Sequence, residues 1–106
     1  MKDTARGKRV PRSDRVTINR EFESVDQFII EYVLNISSTG VFIKSKDPLP
    51  VGTKVNLKFS VIMDELETIE GIGEVTRVSK EGMGVVFTKL TAYSRDLISK
   101  LMSKRP

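Results

Sequence analysis

The sequence predicts a mainly β protein, a six-stranded antiparallel β-barrel with a C-terminal α-helix. Apolar residues occupy every second position in several short segments, most clearly over residues 53–61. Glycine, proline and acidic residues separate these segments at short intervals. After Thr91 the apolar spacing changes to that of a helix. A length of 106 residues suits one such domain.

The strands are predicted from alternation and from β-branched or aromatic content. Residues 15–36 are expected to form a hairpin or meander of two strands, and the proline-rich segment 47–52 ends the third. Gly71 and Gly73 predict a bulge or bend where the sheet curls toward closure. The six predicted strands cover residues 15–23, 27–36, 41–43, 53–61, 67–79 and 83–88.

The last segment of the chain predicts an amphipathic helix. Thr91 or Ser94 can act as its N-cap. The apolar face needs cover from an open end of the barrel or from another molecule. That face consists of Tyr93, Leu97, Ile98, Leu101 and Met102.

Composition excludes most catalytic chemistry. The chain has no cysteine, histidine or tryptophan, so thiolate nucleophiles, disulfides, imidazole bases and the usual zinc sites are absent. The carboxylates of residues 63–70 lie in an acidic turn and the start of the next strand, where solvation is the expected role. We therefore predict a binding module, not an enzyme. No apolar run is long enough to span a bilayer and no signal peptide is evident, so a cytoplasmic location without membrane insertion is expected.

The net charge of +4 is concentrated at the N-terminus. Residues 1–15 contain six basic and two acidic side chains, whereas the remainder has twelve of each. Residues 1–14 are therefore predicted to be a flexible basic arm, followed by a barrel domain over residues 15–106. Such an arm favours phosphate or carboxylate partners.

Three motifs, taken in their order along the chain, indicate a family resemblance. The basic segment Lys8-Arg9-Val10-Pro11-Arg12 precedes the first strand. Asn35-x-Ser37-x-x-Gly40 lies between the second and third strands. Gly73-Glu74-Val75-Thr76-Arg77-Val78 is followed by Met83-Gly84-Val85-Val86-Phe87. In these motifs the chain resembles the PilZ domain family over roughly residues 8–103.

The resemblance implies a receptor for cyclic di-GMP, a ligand with two guanines and two phosphates. It implies contacts from Lys8, Arg9 and Arg12 in the arm and from Asn35, Ser37 and Gly40 in the loop. Guanidinium groups suit phosphate and the O6/N7 edge of guanine, and a glycine at position 40 would permit a positive φ and close approach. The arm would become ordered over the barrel on binding and signal through contact with an unidentified protein partner.

Other interpretations remain open at this stage. The family pattern Arg-x-x-x-Arg is not reproduced, since Lys8 stands four residues before Arg12; alternatively, Arg9 fills the first arginine position from a slightly shortened loop. The alternative function is a degenerate PilZ domain that does not bind the nucleotide and acts as a protein-interaction adaptor in motility, pilus or signalling control. Asn35, Ser37 and Gly40 can also be turn residues only. Arg77 is predicted to be a surface residue or a cross-strand partner of a glutamate. Binding of single-stranded nucleic acid is not expected, because few aromatic residues are free to stack on bases.

Overall fold

The computed structural model describes residues 15–103. The predicted arm, including Lys8, Arg9 and Arg12, lies outside the described residues. The elements in chain order are β1 (Val16–Phe22), a π-helix (Gln27–Tyr32), β2 (Val33–Ile36), β3 (Gly40–Lys44), β4 (Lys54–Ile62), β5 (Leu66–Ser79), β6 (Gly82–Leu90) and α1 (Ala92–Ser103).

The six strands form one sheet in the order β1-β4-β5-β6-β3-β2. The sheet curls into a half-barrel, which confirms the predicted β class with its C-terminal helix. Two details of the prediction were wrong. The sheet is mixed, because β1 pairs with β4 in parallel, and it stays open because β1 and β2 are its two edges. Residues 15–36 consequently do not form a hairpin.

The predicted strand over residues 27–36 is also wrong in its first half. Gln27–Tyr32 form the π-helix, and only Val33–Ile36 are extended. Ser24 Oγ accepts a hydrogen bond from Gln27 N at 3.0 Å and so supports the turn into the helix. Phe28 is fully buried, and its ring centroid lies 5.0 Å from that of Phe22 and 5.4 Å from that of Phe59. Tertiary packing of this aromatic ring therefore outweighs the local strand preference.

The core lies between the concave face of the sheet, the π-helix and α1. Strand β4 supplies alternate apolar residues to it, as its period predicted: Val55, Leu57, Phe59 and Val61 are all at most 3% exposed. A register shift in β5 at Ile72/Gly73 confirms the irregularity predicted at the glycines, and a second shift, which was not predicted, lies at Val75/Arg77.

Thr91 caps α1, since its Oγ1 accepts a hydrogen bond from Ser94 N at 3.0 Å. Ser94 Oγ in turn accepts a hydrogen bond from Glu70 N at 2.7 Å and joins the helix to β5. Leu97, Ile98 and Leu101 pack into the core as predicted, but Tyr93 and Met102 are exposed. No helix within residues 15–103 is long and apolar enough to cross a membrane.

Candidate functional site

A groove of about 300 Å³ lies on the outer face of the sheet, where β2, β3, β6 and β5 are neighbours. We call it the outer groove. The three loop residues predicted from the sequence, Asn35, Ser37 and Gly40, all line it. Thr39, Phe42, Arg77, Gly84 and Val86 complete most of its lining. Among residues 15–103, the groove has a cationic lining residue, Arg77, and no acidic one.

One row of residues runs across the groove through four adjacent strands. Asn35 of β2 is opposite Phe42 of β3, Phe42 is opposite Gly84 of β6, and Gly84 is opposite Arg77 of β5. Because neighbouring strands are about 4.8 Å apart, the register places these four residues side by side on one face of the sheet.

Phe42 forms the apolar base of the row. Its strand neighbours Val41 and Ile43 belong to the core cluster, whereas Phe42 is 7% exposed without belonging to it. Side chains alternate between the two faces of a strand, so Phe42 points away from the core. It is covered instead by Arg77, whose guanidinium carbon lies 5.2 Å from the ring centroid.

Gly84 makes this contact possible, because it leaves the space between Phe42 and Arg77 unfilled. A Cβ at position 84 would lie 3.5 Å from Arg77 Cβ and 3.6 Å from Phe42 Cδ2, both ordinary contacts. A methyl group would therefore fit, but a longer side chain would compete with Arg77 for the space above the ring. The lack of a side chain at position 84 thus lets the Arg77 side chain cross the strand to Phe42.

Gly40 lacks the positive φ that was predicted for it, and it lies at a close approach of two strands. Its φ is not positive; among the glycines within residues 15–103, positive φ occurs at Gly52 and Gly82. Instead, a Cβ at position 40 would lie 2.5 Å from the carbonyl oxygen of Val85. Gly40 is required because β3 and β6 approach closely at this point, where it pairs with Val86.

Ser37 organises the loop that borders the groove. Its backbone N–H donates to Gly40 O at 2.9 Å, and its Oγ accepts a hydrogen bond from Thr39 N at 3.2 Å and lies 2.8 Å from Thr39 Oγ1. The loop is thus a turn held by a serine side chain. Both predicted roles, turn former and ligand contact, are compatible with this position.

Substituting Ser37 with alanine is expected to lower the free energy of unfolding by about 1 kcal/mol, since the Oγ bonds to Thr39 are lost in a partly exposed turn. Urea denaturation measures the change. Ser38→Ala is the matched control, because the exposed Ser38 side chain makes no hydrogen bond in the described part of the chain. Equal stabilities for the two variants would contradict the turn role of Ser37 Oγ.

Arg77 was not among the predicted ligand residues. It was predicted to be a surface residue or a cross-strand partner of a glutamate. Arg77 is indeed exposed, and its guanidinium lies over Phe42 in the outer groove. The Gly73 to Val78 motif contained the arginine, yet only the strand register shows that Gly84 and Phe42 lie beside it.

Comparison with known proteins identifies the fold family. A model of the PilZ domain matches residues 3–104, nearly the whole chain. No curated protein matches it. The match spans all six strands, α1 and the loop that borders the outer groove, and PilZ domains are cyclic di-GMP-binding modules. The chain is therefore a member of the PilZ domain family.

Proposed function

We propose that this protein is a cyclic di-GMP receptor that binds the nucleotide in the outer groove and holds it with arginines of the N-terminal arm. The observation that carries the proposal is the row Asn35, Phe42, Gly84 and Arg77 across four strands. It combines an amide, the guanidinium of an exposed arginine and a glycine that adds no side chain of its own. Family membership supports the same ligand class.

The chemistry of the row suits a guanine base next to a phosphate. The planar Arg77 guanidinium can stack on a purine or donate paired hydrogen bonds to a phosphate. The Asn35 carboxamide has both donors and an acceptor for the edge of a base. Gly84 leaves the sheet surface flat enough for a ring to approach the backbone. None of these groups is a nucleophile or a base, so the site binds without making or breaking bonds.

The volume of the outer groove explains why contacts from the N-terminal arm are needed. About 300 Å³ is at the lower end of the range of roughly 300–1,000 Å³ found for small-molecule sites. The groove therefore accommodates part of a dinucleotide, and additional contacts must come from elsewhere. Lys8, Arg9 and Arg12 precede β1 in the sequence and supply cationic groups for the two phosphates. We propose that the arm becomes ordered on the ligand and that this ordering creates the surface read by a protein partner.

Isothermal titration calorimetry tests the proposal. Wild-type protein is expected to bind cyclic di-GMP, and Arg12→Ala is expected to bind about 10- to 100-fold more weakly because a paired guanidinium contact is lost. Arg77→Ala is expected to weaken binding about 10-fold. Arg95→Ala is the control, since this exposed arginine lies on α1, outside the groove. Absence of heat with tens of micromolar nucleotide would show that the receptor proposal is wrong.

One sequence feature favours a second function. Lys8 stands where the family pattern has its first arginine, and lysine offers neither a planar fork nor a stacking surface. A chain that has lost nucleotide affinity would act as a protein-interaction adaptor through the same fold. The wild-type titration distinguishes the two functions directly.

A further inference from the structure

The edge strand β1 has an unpaired side. It pairs with β4 along its whole length, from Val16 to Phe22, and it is the last strand of the sheet. No second strand bonds to it within residues 15–103. In a strand of this kind about half of the backbone N–H and C=O groups face away from the only partner. Such an edge is a template for one more strand.

The other edge is a poorer template. Strand β2 has only four residues, and its pairing with β3 contains a register shift between Val33 and Asn35. Short and irregular edges discourage strand addition. The seven regular residues of β1 offer the longer continuous row.

A second groove, which we call the seam, follows the free side of β1. It has a volume of about 390 Å³ and is lined by residues 16–20 on one side. Lys44, Ser45, Leu49 and Met83 line the other side. The seam therefore combines unpaired backbone with apolar and cationic side chains, and it shares no lining residue with the outer groove.

Arg20 gives the seam its charge. It belongs to the inward-facing row of β1, with Ile18, which packs against the core, and Phe22, which is 3% exposed. Its guanidinium carbon lies 4.9 Å from the ring centroid of Tyr32 and 5.8 Å from that of Phe22. An inward-pointing charge on an edge strand discourages pairing with an identical strand. The same charge favours an incoming strand that carries a carboxylate.

Lys44 adds a second cation, and its Nζ donates a hydrogen bond to the carbonyl oxygen of Ile30. Glu21 belongs to the opposite face of β1 from Arg20. In the part of the chain that the structure describes, no acidic residue lines the seam. The N-terminal arm carries a net positive charge and is therefore electrostatically mismatched to this groove.

We propose that the seam binds an extended, acidic segment of a partner protein, which adds to β1 as a seventh strand. Backbone hydrogen bonds to the free edge supply affinity, and the side chains of the seam supply specificity, as in other cases of strand addition. One inward-facing carboxylate of the segment pairs with Arg20, and its apolar neighbours cover Ile18 and Leu49. If the protein is a receptor that signals by contact, as proposed above, the seam is the surface at which it binds its protein partner.

Two blocked nonapeptides test the proposal by NMR titration of the full chain. One has glutamate at its central position, valine at the other odd-numbered positions and threonine at the even-numbered positions, so that a single carboxylate lies between valines on one face. The other has lysine in place of that glutamate. The glutamate peptide is expected to shift the β1 amide signals, to slow their hydrogen exchange, and to bind at least 10-fold more tightly than the lysine peptide. Arg20→Glu is expected to reverse that preference. Lys80→Glu, the same charge change in the β5–β6 turn, is expected to leave it unchanged.

Three results would overturn the proposal. The first is binding of neither peptide at about millimolar concentration, and the second is equal binding of both. The third is self-association of the wild type in sedimentation that Asp64→Lys abolishes, which would identify the acidic β4–β5 turn of a second copy as the occupant. Because the lining residues of the seam and the outer groove are separate, failure here leaves cyclic di-GMP binding unaffected.

Discussion

Replacement of Gly82 with alanine is expected to lower the free energy of unfolding by about 2–4 kcal/mol. Gly82 starts β6 with a φ of +154°, which disfavours any side chain. An added Cβ would also lie far inside van der Waals contact with the carbonyl oxygen of Ile43. That oxygen belongs to the backbone of β3, so no side-chain rotation can relieve the overlap. Urea denaturation measures the loss, and the midpoint is expected to fall with little change in slope.

Gly52→Ala is the matched control for this experiment. Gly52 also has a positive φ, of +96°, but no atom outside its chain neighbours lies within 4 Å of the position of an added Cβ. Alanine there costs only the left-handed conformation, about 1–2 kcal/mol. If both variants lose the same stability, the close approach of β3 and β6 at Gly82 is not a significant constraint.

The sequence predicts those elements whose signal is local. Strand β4 was predicted over residues 53–61 and is Lys54–Ile62, because its alternation reflects burial of one face. The Thr91 cap of α1 depends on residues three positions apart. In contrast, the parallel pairing of β1 with β4 joins segments more than thirty residues apart, and nothing in either segment specifies it.

The π-helix shows why a continuous apolar segment is ambiguous. Over residues 27–36 the chain is rich in β-branched and aromatic residues, which is typical of a buried strand and also of a buried helix. Phe28 is fully buried against Phe22 and Phe59, and the compact helix brings it there. The deciding contacts come from β1 and β4, so the local pattern could not reveal them.

The residues of the candidate site also divide into those that a local sequence pattern predicts and those that depend on strand register. Asn35, Ser37 and Gly40 are close in sequence, so a loop motif predicted them as a group. Arg77 became a site residue only through its register opposite Gly84, which depends on a register shift between Val75 and Arg77 in β5. A bulge of this kind moves a side chain relative to its neighbours, and its position cannot be derived from alternation alone.

Gly84→Leu is expected to reduce cyclic di-GMP affinity at least 100-fold while leaving the fold intact. The leucine side chain would occupy the floor of the outer groove between Phe42 and Arg77. It would therefore both exclude a guanine base of the ligand and displace the Arg77 guanidinium. The first side-chain atom meets its neighbours at 3.5 Å or more, and the side chain points away from the core. Leucine also has a better strand preference than glycine. The melting temperature is therefore expected to change by only a few degrees.

Thr88→Leu is the control, because Thr88 is an exposed residue of β6 that does not line the groove. The variant loses only the hydrogen bond from Thr88 Oγ1 to the carbonyl oxygen of Ile72. It adds a comparable apolar side chain and is expected to bind the nucleotide as the wild type does.

If Gly84→Leu keeps wild-type affinity, the nucleotide does not use the floor of the outer groove, even if calorimetry shows that the chain binds it. If Gly84→Leu melts far below the wild type, Gly84 serves the close packing of β5 and β6. Unchanged stability with lost affinity would show that the glycine keeps open the space required by the ligand.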